Sequence, residues 1–306
     1  MKKRDFLTLQ DLSSDEVHHL LDLSMSLKKE KGQHTHHLKG KSIGLVFQKP
    51  SNRTRVSFEV ATWQLGGNCL YLGPDEINLG KRETTADVAR TLSRYLNVIV
   101  ARTYSHDDIL ELSRYATVPV INGLSDMFHP CQGLADIFSV KEKFGTFKGL
   151  SLAYVGDGNN VCHSLLIGCT KVGLNIAIAT PGGYEPNKDV IKKAITDAKK
   201  TGAKIVLTNS PDEAVKNANI IYVDVWVSMG QETETKKRLK DFQEFQVNSR
   251  LAKLANKNYV FMHCLPAHRG QEVTEDIIDG PHSIVFDQAE NRLHVQKAVL
   301  IFLLTK

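Results

Sequence analysis

Nothing in this chain approaches the roughly 20 consecutive apolar residues that a membrane-spanning helix requires. The closing run Ala298–Leu304 is far shorter and reads as a helix laid against a core. The N-terminus, Met1-Lys-Lys-Arg-Asp-Phe-Leu7, is charged, but no apolar segment follows it, so no secretory signal is expected. The five cysteines (Cys69, Cys131, Cys162, Cys169 and Cys264) form no C-x-x-C pair and are odd in number. That argues against a disulfide framework and for a reducing, cytoplasmic setting. No long basic block carries the net charge of +5. The densest patches, Lys2-Lys3-Arg4 and Lys236-Lys237-Arg238, read as solvated surface, with no nucleic-acid footprint. A mild positive excess suits an anionic small substrate.

What is present is the composition of a globular protein, 42% apolar and 24% charged, in 306 residues. That length allows two domains of about 150 residues each. Ser13-Ser-Asp-Glu16 is a capping box that opens a helix over 15–29. Short Val/Ile-rich runs then alternate with amphipathic segments, the pattern of βαβ units and a parallel sheet. Strands are expected at 42–47, 69–72, 97–101 and 118–121, with helices at 53–65, 85–95, 107–115 and 132–144. The pattern resets at Lys143–Gly149. A second series follows, with strands at 151–155, 175–179, 204–207, 220–223, 259–262 and 284–286, and helices at 161–172, 187–201 and 211–217. The fold class is α/β, two doubly wound parallel-sheet domains with ligands at the carboxyl ends of the strands. Periodicity leaves open which domain the helix after Gln288 joins.

The chemistry-bearing strings fall where that fold puts ligands. Ser51-Asn-Arg-Thr-Arg55 follows the first strand and opens a helix whose Val56, Phe58, Val60, Trp63 and Leu65 supply apolar surface. Free N–H groups, the helix dipole, two hydroxyls and Arg53 would make a phosphate cradle. An ordinary serine N-cap with solvated arginines fits as well. Arg102, His129-Pro-Cys-Gln132, Asp157-Gly-Asn-Asn160 and His263-Cys-Leu-Pro266 each follow a further strand. One alone reads as structural; four at equivalent positions point to ligand binding. Gly156-Asp-Gly158 lacks the third glycine of a dinucleotide fingerprint, since Val161 stands there. The next strand also ends Ala177-Ile-Ala-Thr180 without an acid, so nicotinamide binding is disfavoured. His263, Cys264 and His268 are spaced poorly for zinc, and a Cys–His dyad lacks an orienting third group. Asp224 and Ser228, in Asp224-Val-Trp-Val-Ser-Met-Gly230, suit a free amino group, although Ser228 as an N-cap fits the spacing equally. Gly230 with Gln231–Lys240 fits both a mobile lid and a solvated helix.

Together, Lys49-Pro-Ser-Asn-Arg-Thr-Arg55, His129-Pro-Cys-Gln132, Gly156-Asp-Gly-Asn-Asn160, Asp224–Gly230, His263-Cys-Leu-Pro-Ala-His-Arg269 and Glu290-Asn-Arg292 resemble the aspartate/ornithine carbamoyltransferase family. They run in order from about residue 45 to residue 298, and the Ser-Met-Gly and His-Cys-Leu-Pro segments match its ornithine-type branch. The resemblance implies a carbamoyl-phosphate-binding domain over 1–145, completed by helix 289–306, and an L-ornithine-binding domain over 146–288. It implies carbamoyl transfer from carbamoyl phosphate to the δ-amine of L-ornithine, in arginine metabolism. Ser51, Asn52, Arg53 and Thr54 would hold the phosphate. Arg102, Thr54 and His129 would meet the carbonyl oxygen, and Gln132 and the Cys264 and Leu265 carbonyls the carbamoyl NH2. Arg292 would add charge. Asn160 and the Met229 main chain would take ornithine's α-carboxylate, Asp224 and Ser228 its α-amino group, with the Cys264 side chain near the δ-amine. No metal or organic cofactor, nucleic acid or membrane is implied, and the assembly would be a homotrimer or a multiple of trimers. Two positions depart from the family pattern: Asn52, often Thr, and Asn78, often Gln, on the 78–83 loop that would reach a neighbouring subunit's phosphate site. Putrescine or aspartate as acceptor, a nicotinamide dehydrogenase and a non-catalytic scaffold are the competing readings.

Overall fold

The computed structural model describes residues 3–30, 36–228 and 230–305. The chain divides into two compact units, residues 1–138 with 290–306, and residues 139–289. The first break falls inside a helix, upstream of Lys143–Gly149, because that helix runs unbroken from one unit into the other.

Unit 1 contains α1 (Ser14–Lys29), β1 (Ser42–Phe47), α2 (Asn52–Gln64), β2 (Asn68–Leu72), α3 (Pro74–Ile77), α4 (Thr85–Leu92), β3 (Val98–Arg102), α5 (His106–Tyr115), β4 (Val120–Leu124) and the start of α6 (Pro130–Phe144). The Ser13 side chain accepts from the Glu16 N–H, and the Glu16 carboxylate accepts from the Ser13 N–H, so the expected capping box closes. The strands form an all-parallel sheet in the order β2-β1-β3-β4. β1 connects outward to β2, and the chain then returns past β1 to β3. The strand order therefore reverses between β1 and β3, where their carboxyl ends leave a crevice. Register places Phe47 beside Arg102, and the Gln48 N–H donates to the Arg102 carbonyl at 2.8 Å. That pairing brings the α2 N-terminus alongside the end of β3. Val46, Ile99, Ala101 and Val120 pack with Val88 and Ile109 of the covering helices in one core cluster.

Unit 2 contains β5 (Ser151–Val155), α7 (Asn160–Val172), β6 (Asn175–Ala179), α8 (Lys188–Thr201), β7 (Ile205–Thr208), α9 (Pro211–Val215), β8 (Ile220–Val223), α10 (Thr235–Asp241), α11 (Ser249–Ala252), β9 (Val260–His263) and α12 (Glu275–Ile278). Its parallel sheet runs β7-β6-β5-β8-β9. Here the order reverses between β5 and β8, so residues 156–160 and Asp224 share the crevice. The final helix, α13 (Val285–Leu304), contributes residues from Glu290 onward to unit 1. There Lys297 Nζ donates to Gln64 Oε1 at 2.9 Å and Lys28 Nζ to Asn291 Oδ1 at 2.8 Å.

Three expectations are corrected. Residues 284–286 are not a strand: Ser283 makes a single bridge to Phe261, and the Gln288 N–H then donates to the Ile284 carbonyl, committing the backbone to α13. Arg238 is not solvated; it is 6% exposed inside unit 2. On α2, Phe58 and Leu65 are buried, whereas Val56 and Trp63 are 49% and 62% exposed. Among the described residues no helix is long and apolar enough to cross a membrane.

Candidate functional site

In unit 1, Ser51 caps α2, its hydroxyl accepting the Thr54 N–H at 3.3 Å. Ser51 and Arg53 are half-buried, Asn52 is exposed and Thr54 is 1% exposed. Arg292 Nη1 donates to Gln132 Oε1 at 2.6 Å, and Nη2 donates to Thr54 Oγ1 at 3.4 Å. Gln132 Nε2 in turn donates to Asp136 Oδ1 at 2.8 Å. This relay fixes the Gln132 amide and leaves its oxygen one further lone pair for a donor.

Arg102 ends β3 and is buried, yet among the described residues it forms no ion pair and its Nε has no hydrogen-bond partner. Burial, followed by Arg292 and Arg53, brings its guanidinium down to about 10, still charged at neutral pH. His129 is pushed well below the usual imidazole range, first by burial and then by Arg292, Arg102, Arg53 and Lys49. It is therefore a neutral ring at pH 7, with one donor and one acceptor nitrogen. Lys49 is buried, its Nζ 4.9 Å from the Tyr104 ring centre. Arg55 lies elsewhere, on Glu59 at 2.9 Å and over the Tyr71 ring. Cations thus converge at a helix N-terminus, where an oxyanion is favoured. Asn78 is not drawn into this cluster. It is exposed, takes the left-handed conformation (φ 43°) and returns its amide to the Asp75 carbonyl of its own turn.

In unit 2 the turn after β5 needs two glycines for different reasons. Gly156 has φ +139°, and a Cβ on Gly158 would meet backbone atoms of Tyr184–Pro186 at about 2.5 Å. The Gly158 N–H is also spent on the Tyr184 carbonyl, so no dinucleotide phosphate could use it. Asp157 is paired in the interior with Arg238 at 2.9 Å, and the same guanidinium reaches Glu234 and the Trp226 carbonyl. Burial raises the Asp157 carboxyl to about 6 despite Arg238.

Asn159 caps α7, and Asn160 is its first residue. Asp224 follows β8 and is 5% exposed. Its Oδ1 accepts from the Cys264 thiol at 2.9 Å and the Val225 N–H at 2.8 Å, and its Oδ2 accepts from Asn159 Nδ2 at 2.8 Å. Ser228 is half-buried, its N–H on Gln231 Oε1, while Met229 lies outside the described residues. Leu265 has φ +57°, and its N–H donates to His263 Nδ1.

Asp224, His263 and Cys264 present metal-ligand atoms within 4.8 Å of one another. Each is already engaged: His263 Nε2 faces the buried Glu272 at 3.2 Å, Nδ1 takes the Leu265 N–H, and the thiol bonds Asp224. His268 is not part of that group; it lies at Glu272, half-exposed. Sequence reasoning missed Asn159 as a partner of Asp224, and also missed Asp157–Arg238 and Glu272. Asn159 carried one usable signal, its place in an Asn-Asn pair just ahead of an apolar helical run.

Unit 1 thus gathers cations at the start of α2, and unit 2 sets the Asp224 carboxylate against the residue that caps α7. Residues 4–142 match the family model "Aspartate/ornithine carbamoyltransferase, carbamoyl-P binding domain". Residues 148–303 match "Aspartate/ornithine carbamoyltransferase, Asp/Orn binding domain". The chain is 55% identical to an ornithine carbamoyltransferase of Pyrococcus horikoshii over 306 residues, covering 99% of this chain and 96% of that protein. It is also 55% identical to an anabolic ornithine carbamoyltransferase of Pyrococcus furiosus, over 97% of this chain and 95% of that one. A solved structure of the ornithine carbamoyltransferase from Pyrococcus furiosus superposes with a TM-score of 0.95 at 54% identity, covering 98% of this chain and 97% of that one.

Proposed function

The chain belongs to the aspartate/ornithine carbamoyltransferase family, and from that premise we propose that it carbamoylates the δ-amine of L-ornithine, giving L-citrulline and phosphate. Carbamoyl phosphate is the ligand of unit 1 and L-ornithine that of unit 2. One observation carries this most: a buried Arg102 without an ion-pair partner among the described residues, in the field of Arg53 and Arg292 at a capped helix start. A protein retains such an arrangement at a cost in stability, and an anion repays it.

In this reading Ser51, Asn52, Arg53 and Thr54 take the phosphate, Asn52 through its backbone N–H. Arg102, His129 and Thr54 donate to the carbonyl oxygen as it gains charge, Arg292 supports them, and Gln132 accepts from the carbamoyl NH2. Asp224 and Ser228 hold ornithine's α-amino group, and Asn160 with the residue-229 main chain its α-carboxylate. A free alkyl ammonium has a pKa of roughly 10.4, so neutral δ-amine must be selected on binding. Its lone pair forms the new C–N bond, the C–O bond to phosphate breaks, and the departing phosphate accepts the proton. Catalysis is then positioning and electrostatics, with no covalent intermediate.

Synthesis of arginine is the direction we assign, supported by the anabolic name of the 55% identical Pyrococcus furiosus relative. The enzyme works in the cytoplasm as a homotrimer or a multiple of trimers. The exposed Val56, Trp63 and Leu70 on α2 and on the edge strand β2 support a subunit interface. The test is incubation with both substrates: citrulline and phosphate should appear in equal amounts and only when both are present. Phosphate release without citrulline would refute the assignment.

A further inference from the structure

We propose that Asn159 is the positioning residue for Asp224 and thereby sets the affinity for ornithine; this deepens the reading of unit 2 as the ornithine-binding half. Asn159 does two things with one amide. Its Oδ1 accepts the Val161 N–H at 3.0 Å and the Cys162 N–H at 3.1 Å, and the Tyr154 hydroxyl, whose nearer acceptor is the Asp157 carbonyl at 2.8 Å, lies 3.3 Å from it. Its Nδ2 donates to Asp224 Oδ2 at 2.8 Å. The opposite amide orientation is excluded on chemical grounds. It would set an NH2 against two N–H donors and an oxygen against a carboxylate.

The two bonds tie together the two features that an α-amino acid needs. One is the start of α7, where the helix dipole and the side chain of Asn160 suit a carboxylate, the Val161 and Cys162 N–H groups being held by Asn159 itself. The other is the Asp224 carboxylate, which suits an ammonium. The side chain of Asn159 spans them, so their separation is set within unit 2 before any ligand arrives. The remaining donors to Asp224, the Cys264 thiol and the Val225 N–H, are neutral, as is Asn159. Among the described residues no cation pairs with the carboxylate, which is therefore oriented and left open to the substrate's amine. Behind the turn, Gly158 packed on Tyr184–Pro186 and the Asp157–Arg238 pair hold the backbone of Asn159 in place. Tyr154, stacked on Tyr222 with centroids 5.8 Å apart, sets its hydroxyl beside the amide oxygen.

Asn159→Asp keeps the size and the acceptor for both capping N–H groups but turns an oxygen toward Asp224. Asn159→Ser keeps a cap and removes the donor without adding charge. Both should raise the ornithine KM, Asn159→Asp by about tenfold or more, with kcat within about threefold and the carbamoyl phosphate KM unchanged. Calorimetry with L-norvaline, which has the α-groups but no side-chain amine, should show the same loss of affinity. A residue that merely caps α7 would leave the ornithine KM of both variants within twofold of the parent, and that result overturns the inference. Asp224→Asn, measured alongside, separates the levels. If it loses ornithine affinity while both Asn159 variants bind normally, only the inference falls. If it also binds normally, the reading of unit 2 falls with it.

Discussion

Replacing Arg102 with alanine should lower kcat about 100- to 1000-fold, the loss typical of removing one donor to a developing oxyanion. The chain should nevertheless fold at least as well as before. Arg102 is buried without an ion pair among the described residues, and the cations Arg292 and Arg53 act on it. Deleting it removes a desolvated charge and relieves repulsion, so the melting temperature should hold or rise. Activity falls while stability does not, because this guanidinium serves the reaction at the expense of the fold. His129, relieved of one neighbouring cation, should also titrate higher. Steady-state kinetics with a thermal melt on the same preparation check both halves. A kcat within threefold of the parent would show that Arg102 does not meet the reacting carbonyl, and a collapse of the melting temperature would make it structural.

The second large effect is discrimination among amine acceptors. With carbamoyl phosphate saturating, kcat/KM for putrescine and for aspartate should lie at least about 10³-fold below that for L-ornithine. A site built to hydrogen-bond particular groups rejects analogues lacking them by such factors. Putrescine has neither an α-amino group for Asp224 nor an α-carboxylate for the start of α7, so it would bury a charged carboxylate with nothing to pair it. Aspartate satisfies both features but has no side-chain amine to attack. Product analysis with the three acceptors measures the ratio directly. Putrescine turnover within tenfold of ornithine would mean that Asp224 and Asn160 do not read the amino-acid end.

The two effects also mark where sequence was informative. Strands at 42–47, 151–155, 175–179 and 220–223 stand where short apolar runs bounded by turn residues put them, since a fully buried parallel strand has no polar alternative. The strand-end rule then placed Ser51, Arg102, Asn160, Asp224 and His263 at carboxyl ends before any distance was known. Residues whose partners lie far away along the chain were not legible in this way. Asn159 and Asp224 are 65 positions apart, and Arg238 and Asp157 are 81 apart. Arg238, inside a run of lysines and threonines, looks solvated until its buried partner is known. Residues 284–286 failed for a different reason. Three apolar residues fit a strand and a helix equally well, and only the continuation through Gln288 decides between them. Trp63 misled because apolar periodicity reports a hydrophobic face, without saying whether the same chain or another one covers it.

Everything proposed for unit 1 requires an anion to bind where α2 begins. The most direct measurement is a crystal structure with a phosphonate mimic of carbamoyl phosphate. Phosphonate oxygens should lie within hydrogen-bonding distance of the residue 51–54 N–H groups and of the Arg53 guanidinium, with the carbonyl oxygen on Arg102 and His129. A phosphonate seated away from the α2 N-terminus, with Arg53 and Arg102 untouched, would contradict it.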